Sequence, residues 1–375
     1  MNGVTVKISK PVAIGIVALV VIAAVGGFIL LSQNDQDSDE VRIGYLTGDL
    51  HQLSRVVMMD ESAFNGTSLL GQYGVDAVSA NPGGYSNGGA VMDALEAGSV
   101  DIAWLGSPPA IQKHLNAGTD VKIIAVANNE GSSIVAKEGI NTIADLDQKV
   151  VATPGPSSIQ HLLFMDVVES AGMTTVQKGA STTPNTVYWV QIPPVDQKAA
   201  LEKPVKSGGV DAAVGWEPYG SDSILDGTAH ILEWSGDVWP NHPCCVIAVR
   251  TAFAEANPEV VAKVLRAHID ANEWIADAKT DTSSENYTKL VGMAGAFANR
   301  DDDVIKSAIN HTQFTYEIDD SFKTGLSNFT QSYIDLKIVA QGKVSERGYS
   351  SIDDFVNKFV DPTYLEQAVN VTKSQ

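Results

Sequence analysis

From residue 41 onward, short apolar runs alternate with helix-like stretches, and a glycine or a Gly/Pro/Ser/Asn cluster punctuates nearly every join. Residues 41–46, 75–80, 101–105, 121–127, 134–136, 150–153, 188–192, 211–214 and 246–249 read as strands. Between them, Ala90, Val91, Ala94 and Leu95 recur at helical spacing and stop at Gly98. Ile159, Leu162, Leu163 and Val167 do the same in residues 157–171, closed by Gly172. Residues 178–186 read as an exposed loop, and everything after Thr251 reads as helical. Strand–helix alternation predicts parallel sheets covered by helices. Its breaks near residues 128–131 and 232–242 predict two lobes joined by two crossings, one lobe from residues 41–128 plus 240–375 and the other from 129–239. In open α/β sheets a ligand sits beyond the carboxyl ends of the strands, so the loops after strands are the places to search.

The first 40 residues form a separate unit. Residues 11–31 are an apolar run of 21 residues without a charge. As a helix rising about 1.5 Å per residue it would extend roughly 31 Å, enough for a bilayer core. Lys7 and Lys10 precede it, and Asp35, Asp37, Asp39 and Glu40 follow. That asymmetry predicts an N-terminal transmembrane helix with the body outside, its membrane contact made through residues 11–31. The small residues Ala23, Ala24 and Gly26 leave signal cleavage open, but the run is longer than an ordinary signal core. The formal net charge of −20 repels phosphate backbones, so no nucleic acid is expected as a partner.

The two cysteines are the adjacent Cys244 and Cys245. They form no CxxC metal spacing and no disulfide framework, so neither metal nor cofactor is expected. Neighbours on a strand point to opposite faces, which favours two buried thiols over a vicinal disulfide. The sequence also lacks a GxSxG elbow, an HExxH helix, a Walker loop and a GxGxxG turn. Catalysis is therefore not expected.

A set of segments recurs in a known order: Val41-Arg42-Ile43-Gly44-Tyr45, residues 94–103, residues 139–152, Gly209-Val210-Asp211-Ala212-Ala213 and Trp216-Glu217-Pro218-Tyr219. This ordered set resembles the ABC-importer substrate-binding proteins of the nitrate, sulfonate, taurine and thiamine-pyrimidine class, over roughly residues 41–275. The resemblance implies an α/β two-lobed periplasmic-binding-protein-like fold of type II. It further implies capture of a small solute and delivery to permease and ATPase subunits. A sulfonate, taurine-like compound or related organic anion is the first expectation; a pyrimidine precursor, nitrate or bicarbonate, or a membrane-tethered sensor role, are the alternatives. The repeated Gly-x-Val-Asp element reads as structural, a helix stop followed by a strand that starts on an acid.

The candidate binding residues lie in the post-strand loops. Pro154, Ser157 and Ser158 open a helix whose free amides and positive dipole end suit an anion, the rival reading being that one serine merely caps it. Gly48, His51 and Gln52 follow the first strand, and His51 offers a donor to an oxyanion. Ser107 and Pro108 follow the third strand, while Asn129 and His242 flank the two crossings. Trp216 offers an apolar wall and Glu217 an acceptor, a placement the resemblance supports. Protease added to intact cells or spheroplasts is expected to digest residues 41–375. Complete protection until the membrane is broken would contradict the outward orientation.

Overall fold

The computed structural model describes residues 40–179 and 183–374. The apolar run at 11–31 lies outside the described residues; among these, no helix is long and apolar enough to cross a membrane. The chain begins with β1 (Val41–Gly44), β2 (Ala77–Ser79), β3 (Ile102–Gly106) and β4 (Val121–Glu130). It then lays down β5 (Ser132–Ala136), β6 (Val150–Thr153), β7 (Thr174–Gln177), β8 (Thr186–Gln191), β9 (Ala212–Trp216) and β10 (His230–Trp234). It ends its strands with β11 (Pro243–Arg250) and β12 (Thr312–Phe314). Two six-stranded sheets result, ordered β12-β4-β11-β3-β1-β2 and β10-β5-β9-β6-β8-β7.

The sheets are mixed rather than wholly parallel. β1 runs parallel to β3, and β6 runs parallel to both β8 and β9, as strand–helix units require. β11 is antiparallel to β3 and β4, and β5 is antiparallel to β9 and β10. The strands that carry the chain out of one sheet and back are not joined by a helical crossover, so the parallel rule does not bind them. β10 is half-buried along its length, and β12 interrupts a tail that periodicity reads as continuously helical. Both lacked the apolar contrast that marks a strand.

Helices cover both faces of the second sheet. Phe164 and Val168, from the helix Ile159–Ser170, pack on Ile134, Val151 and Val214. Tyr188, Leu201, Val210 and Ala213 form the opposite layer. In the first sheet β3 and β11 are buried almost end to end, which explains their unbroken apolar sequences.

The structural reading of Gly-x-Val-Asp has a specific basis. Gly98 takes φ +73°, a conformation that suits glycine, and turns the chain into Asp101. Asp101 Oδ2 accepts from the Arg42 backbone N–H at 3.0 Å and from Nε at 2.9 Å. Its Oδ1 accepts from Arg42 and Arg250, each at 2.8 Å. Burial by itself would raise this carboxyl's pKa; the two guanidiniums outweigh it and hold the pKa below the ordinary value. One carboxylate thus fastens β1 and β11 to the start of β3. Asp101→Asn is expected to destabilise the fold by about 2 kcal/mol, less than a fully buried pair would cost, because both guanidiniums are about a third exposed. Urea denaturation measures it, and an unchanged midpoint would contradict the fastening role.

Candidate functional site

β4 passes into β5 through the single residue Gly131, which takes φ +85°. A Cβ there would sit 2.4 Å from His51 Nε2, so the crossing requires glycine both for its backbone and for its neighbour. The Gly131 carbonyl accepts from His51 Nε2 at 2.7 Å and from the Glu217 backbone N–H at 2.9 Å. The second crossing is tied to the first: the Glu130 carboxylate accepts from the Asn241 N–H at 2.7 Å, and the Glu130 N–H donates to the His242 carbonyl at 3.2 Å.

In front of these crossings lies a cleft of about 500 Å³, within the range typical of small-molecule sites. One side comes from loops of the first sheet, including Asp49, His51, Gly88, Gly89 and Pro108. The other comes from the second sheet, with Pro154, Ser157, Ser158, Gln160, Gln191 and Trp216. Two helices start at its edge. Asn87 caps the helix Gly88–Glu96 by accepting from the Ala90 N–H, and Ser158 caps the helix Ile159–Ser170 by accepting from the His161 N–H. Each cap takes the third amide of its helix, which leaves the first two, Gly88 and Gly89 or Ile159 and Gln160, without an intrahelical acceptor. Among the described residues, no lysine or arginine lines the cleft.

Of the residues singled out from sequence, His51, Pro108, Pro154, Ser157, Ser158 and Trp216 line the cleft. The other six lie behind it. Gly48 packs beside the Tyr219 hydroxyl. Gln52 is buried, accepting from the Leu46 N–H and donating to Asp49, so it shapes the loop rather than facing outward. Ser107 is buried at the start of its helix. Asn129 sits in the β4 ladder opposite Pro243 and Gln313. Glu217 and His242 are fully buried at the crossings. The Asn87-Gly88-Gly89 helix start was legible as a cap, but it follows a long turn rather than a strand and escapes a search of post-strand loops.

The cysteines depart from the expected alternation. β11 is bulged: Pro243 lies opposite Asn129 and Cys245 opposite Asn128, so Cys244 is the extra residue. Both thiols therefore reach the same imidazole, with Cys244 Sγ at 3.2 Å and Cys245 Sγ at 3.8 Å from His51 Nδ1. Burial by itself would lower the His51 pKa; the Cys244 sulfur and the Asp49 carboxylate outweigh it and raise it. Burial would likewise raise Cys244, but the Cys245 thiol and His51 draw it down. At the cleft floor the imidazole and the Cys244 sulfur thus shift each other's pKa in opposite directions.

A sequence model of the NMT1-like family matches residues 34–290. The chain belongs to the NMT1-like family. Among its relatives is the taurine-binding periplasmic protein of Escherichia coli (strain K12), 27% identical over 222 residues, which are 56% of this chain and 62% of that protein. The match thus spans less than two thirds of that relative. The periplasmic nitrate-binding protein NrtA of Synechocystis PCC 6803 superposes with a TM-score of 0.67 at 15% identity, covering 89% of each chain. The periplasmic aliphatic sulphonate-binding protein SsuA of Escherichia coli superposes with a TM-score of 0.61 at 21% identity, covering 83% of this chain and 97% of that one. At these identities the likeness speaks to the fold: this NMT1-like chain has the α/β, two-sheet, periplasmic-binding-protein-like architecture.

Glu217 gives the crossing a pH dependence. Burial lifts its pKa to about 7, against the lowering effect of the Ser221 N–H, and its Oε1 has no partner. A carboxyl kept neutral only when folded stabilises fully below its unfolded pKa and loses that contribution as pH rises through about 7. Glu217→Gln removes this loss. Its stability relative to the parent is expected to grow between about pH 4 and pH 8 by on the order of 3 kcal/mol. A difference independent of pH in urea titrations would contradict the assignment.

Proposed function

We propose that this protein is the extracytoplasmic solute-capture subunit of an ABC importer, binding a small organic anion of the sulfonate or taurine-like class in the cleft between its two sheets. The observation that carries the reading is the convergence of two helix starts, one from each sheet, on one cavity that also holds Trp216. Pairs of amides at Gly88 and Gly89 and at Ile159 and Gln160 favour an anionic head by hydrogen bonding and by the positive end of each helix dipole. Trp216 and the prolines at 108, 154 and 156 supply an apolar wall, which favours a ligand with an organic body over a bare nitrate or bicarbonate ion. The taurine-binding relative is consistent with that choice.

Capture is reversible and non-covalent in this reading. Replaceable polar contacts join the lobes: Ser221 with Ser307 at 2.9 Å, Arg300 donating to Asp222 at 2.9 Å, and the Tyr333 hydroxyl donating to the Ser157 carbonyl at 3.3 Å. Opening at Gly131 and around residues 239–243 would admit solute, and closure would present a changed surface to permease and ATPase partners. The outward placement rests on the lysines before the apolar run and the acids after it.

The test is calorimetry on the full chain in detergent, with taurine, alkanesulfonates and nitrate as ligands. A sulfonate is expected to bind and to be returned unchanged. Ser157→Ala and Trp216→Ala are each expected to weaken it about tenfold or more, since a hydrogen bond to a charged group is worth roughly 1.5–3 kcal/mol. Ser158 is the poorer probe because its hydroxyl is committed to the cap. Unchanged affinity in both variants would overturn the cleft assignment, and nitrate binding without sulfonate binding would overturn the ligand class.

A further inference from the structure

We infer that His51, Cys244 and Cys245 form a three-ligand site for a thiophilic zinc-class ion at the floor of the cleft. The inference departs from the expectation of no metal, and it does so on geometry. His51 Nδ1 and the two sulfurs all lie within 4.8 Å of one another, and all three residues are buried. Zinc bonds of about 2.05 Å to nitrogen and 2.3 Å to sulfur give a tetrahedral N···S edge of about 3.6 Å. The two observed N···S separations, 3.2 and 3.8 Å, bracket that edge.

The surroundings prepare the imidazole as a ligand. The Gly131 carbonyl can only accept, so Nε2 carries the hydrogen at 2.7 Å and Nδ1 is aimed at the sulfurs. A backbone carbonyl that fixes tautomer and ring orientation in this way is the usual support of a metal-bound histidine. Asp49 is committed elsewhere, accepting from the His51 backbone N–H and the Gln52 amide, each at 3.0 Å. It stays 3.6 Å from Nδ1 as a nearby negative charge. Two thiolates and one imidazole select a soft or borderline ion over magnesium or calcium. The bulge at Cys244 is what makes the set possible, since regular alternation would send one sulfur away. All three residues line the cavity, so the fourth position opens into it, as in sites that leave room for water or an anionic donor. Binding would release two protons in all from the His51, Cys244 and Cys245 set, leaving two thiolates and a neutral imidazole, and would involve no redox step.

Metal uptake is read without any solute, so this inference and the proposed transport role fail separately. The full chain in detergent, reduced and freed of metal by chelator, is titrated with Co(II) and then Zn(II). One equivalent of cobalt is expected to give a thiolate-to-metal charge-transfer band that zinc abolishes. Cys244→Ser, Cys245→Ser and His51→Asn are each expected to lose the band and to weaken zinc by more than the roughly 10–100-fold typical of supporting residues. Zinc is also expected to shield Cys244 and Cys245 of the unaltered protein from iodoacetamide, a measurement that does not depend on variants folding. No cobalt–thiolate band with reduced, folded protein, unshielded thiols, or undiminished zinc affinity in the folded double serine variant would each overturn the site.

Discussion

The hydrogen bond from His51 to the Gly131 carbonyl is the contact on which the rest of the site depends. Gly131 is the one residue between β4 and β5, so its backbone sets how one sheet follows the other. The same carbonyl receives the Glu217 N–H, and the Glu217 carbonyl in turn accepts from the Leu50 N–H at 3.3 Å. Three loops, after β1, β4 and β9, are thereby pinned at one point. A side chain at Gly131 would displace the imidazole, and loss of the imidazole would leave a buried carbonyl short of one donor. Because such a node involves few atoms and no large apolar surface, it can serve as a pivot without breaking the cores on either side.

The cleft above the pivot illustrates how little global charge says about a local site. The chain carries a formal charge of −20, yet the cavity presents helix amides and a raised-pKa imidazole, with no lysine or arginine among its described lining residues. The helix amides among these are fixed dipoles that need no counter-ion and favour an anion without the desolvation cost of a buried cation. They also bind less tightly than an arginine fork would, in keeping with the reversible capture proposed above.

How much of this was legible in the sequence depended on whether the determinant was local. Helix stops at Gly98 and Gly172, the cap at Ser158 and the buried runs of β3 and β11 are written in a few adjacent residues, and reading them located the two sheets and the loop from Pro154 to Ser158. Strand direction was not local: β11 runs antiparallel because it returns the chain from the second sheet, a fact of connectivity that no window of ten residues contains. Glu217 and His242 have the composition of site residues but are turned inward to hold the crossings. Cys244 and Cys245 are the two buried thiols expected, but they do not point to opposite faces, for a related reason. Alternation holds only for a regular strand, and the bulge that overrides it is set by pairing with Asn128 and Asn129, more than a hundred residues earlier.

Burial alone does not decide which groups at the pivot stay ionised. Asp49, His51, Cys244 and Glu217 are all sealed from solvent, and each pays a desolvation cost when charged. The Cys244 sulfur and Asp49 raise the His51 pKa against burial, while the Cys245 thiol and His51 lower that of Cys244 against burial. Glu217 has one backbone donor and an unpartnered oxygen, so it stays neutral up to about pH 7. His51 and Cys244 thus lie at the cavity floor, while Glu217 bonds Gly131 through its backbone N–H and turns its carboxyl toward Ser221. That partition places the mutually polarised imidazole and sulfur at the cavity floor, and behind them an acid whose ionisation burial resists.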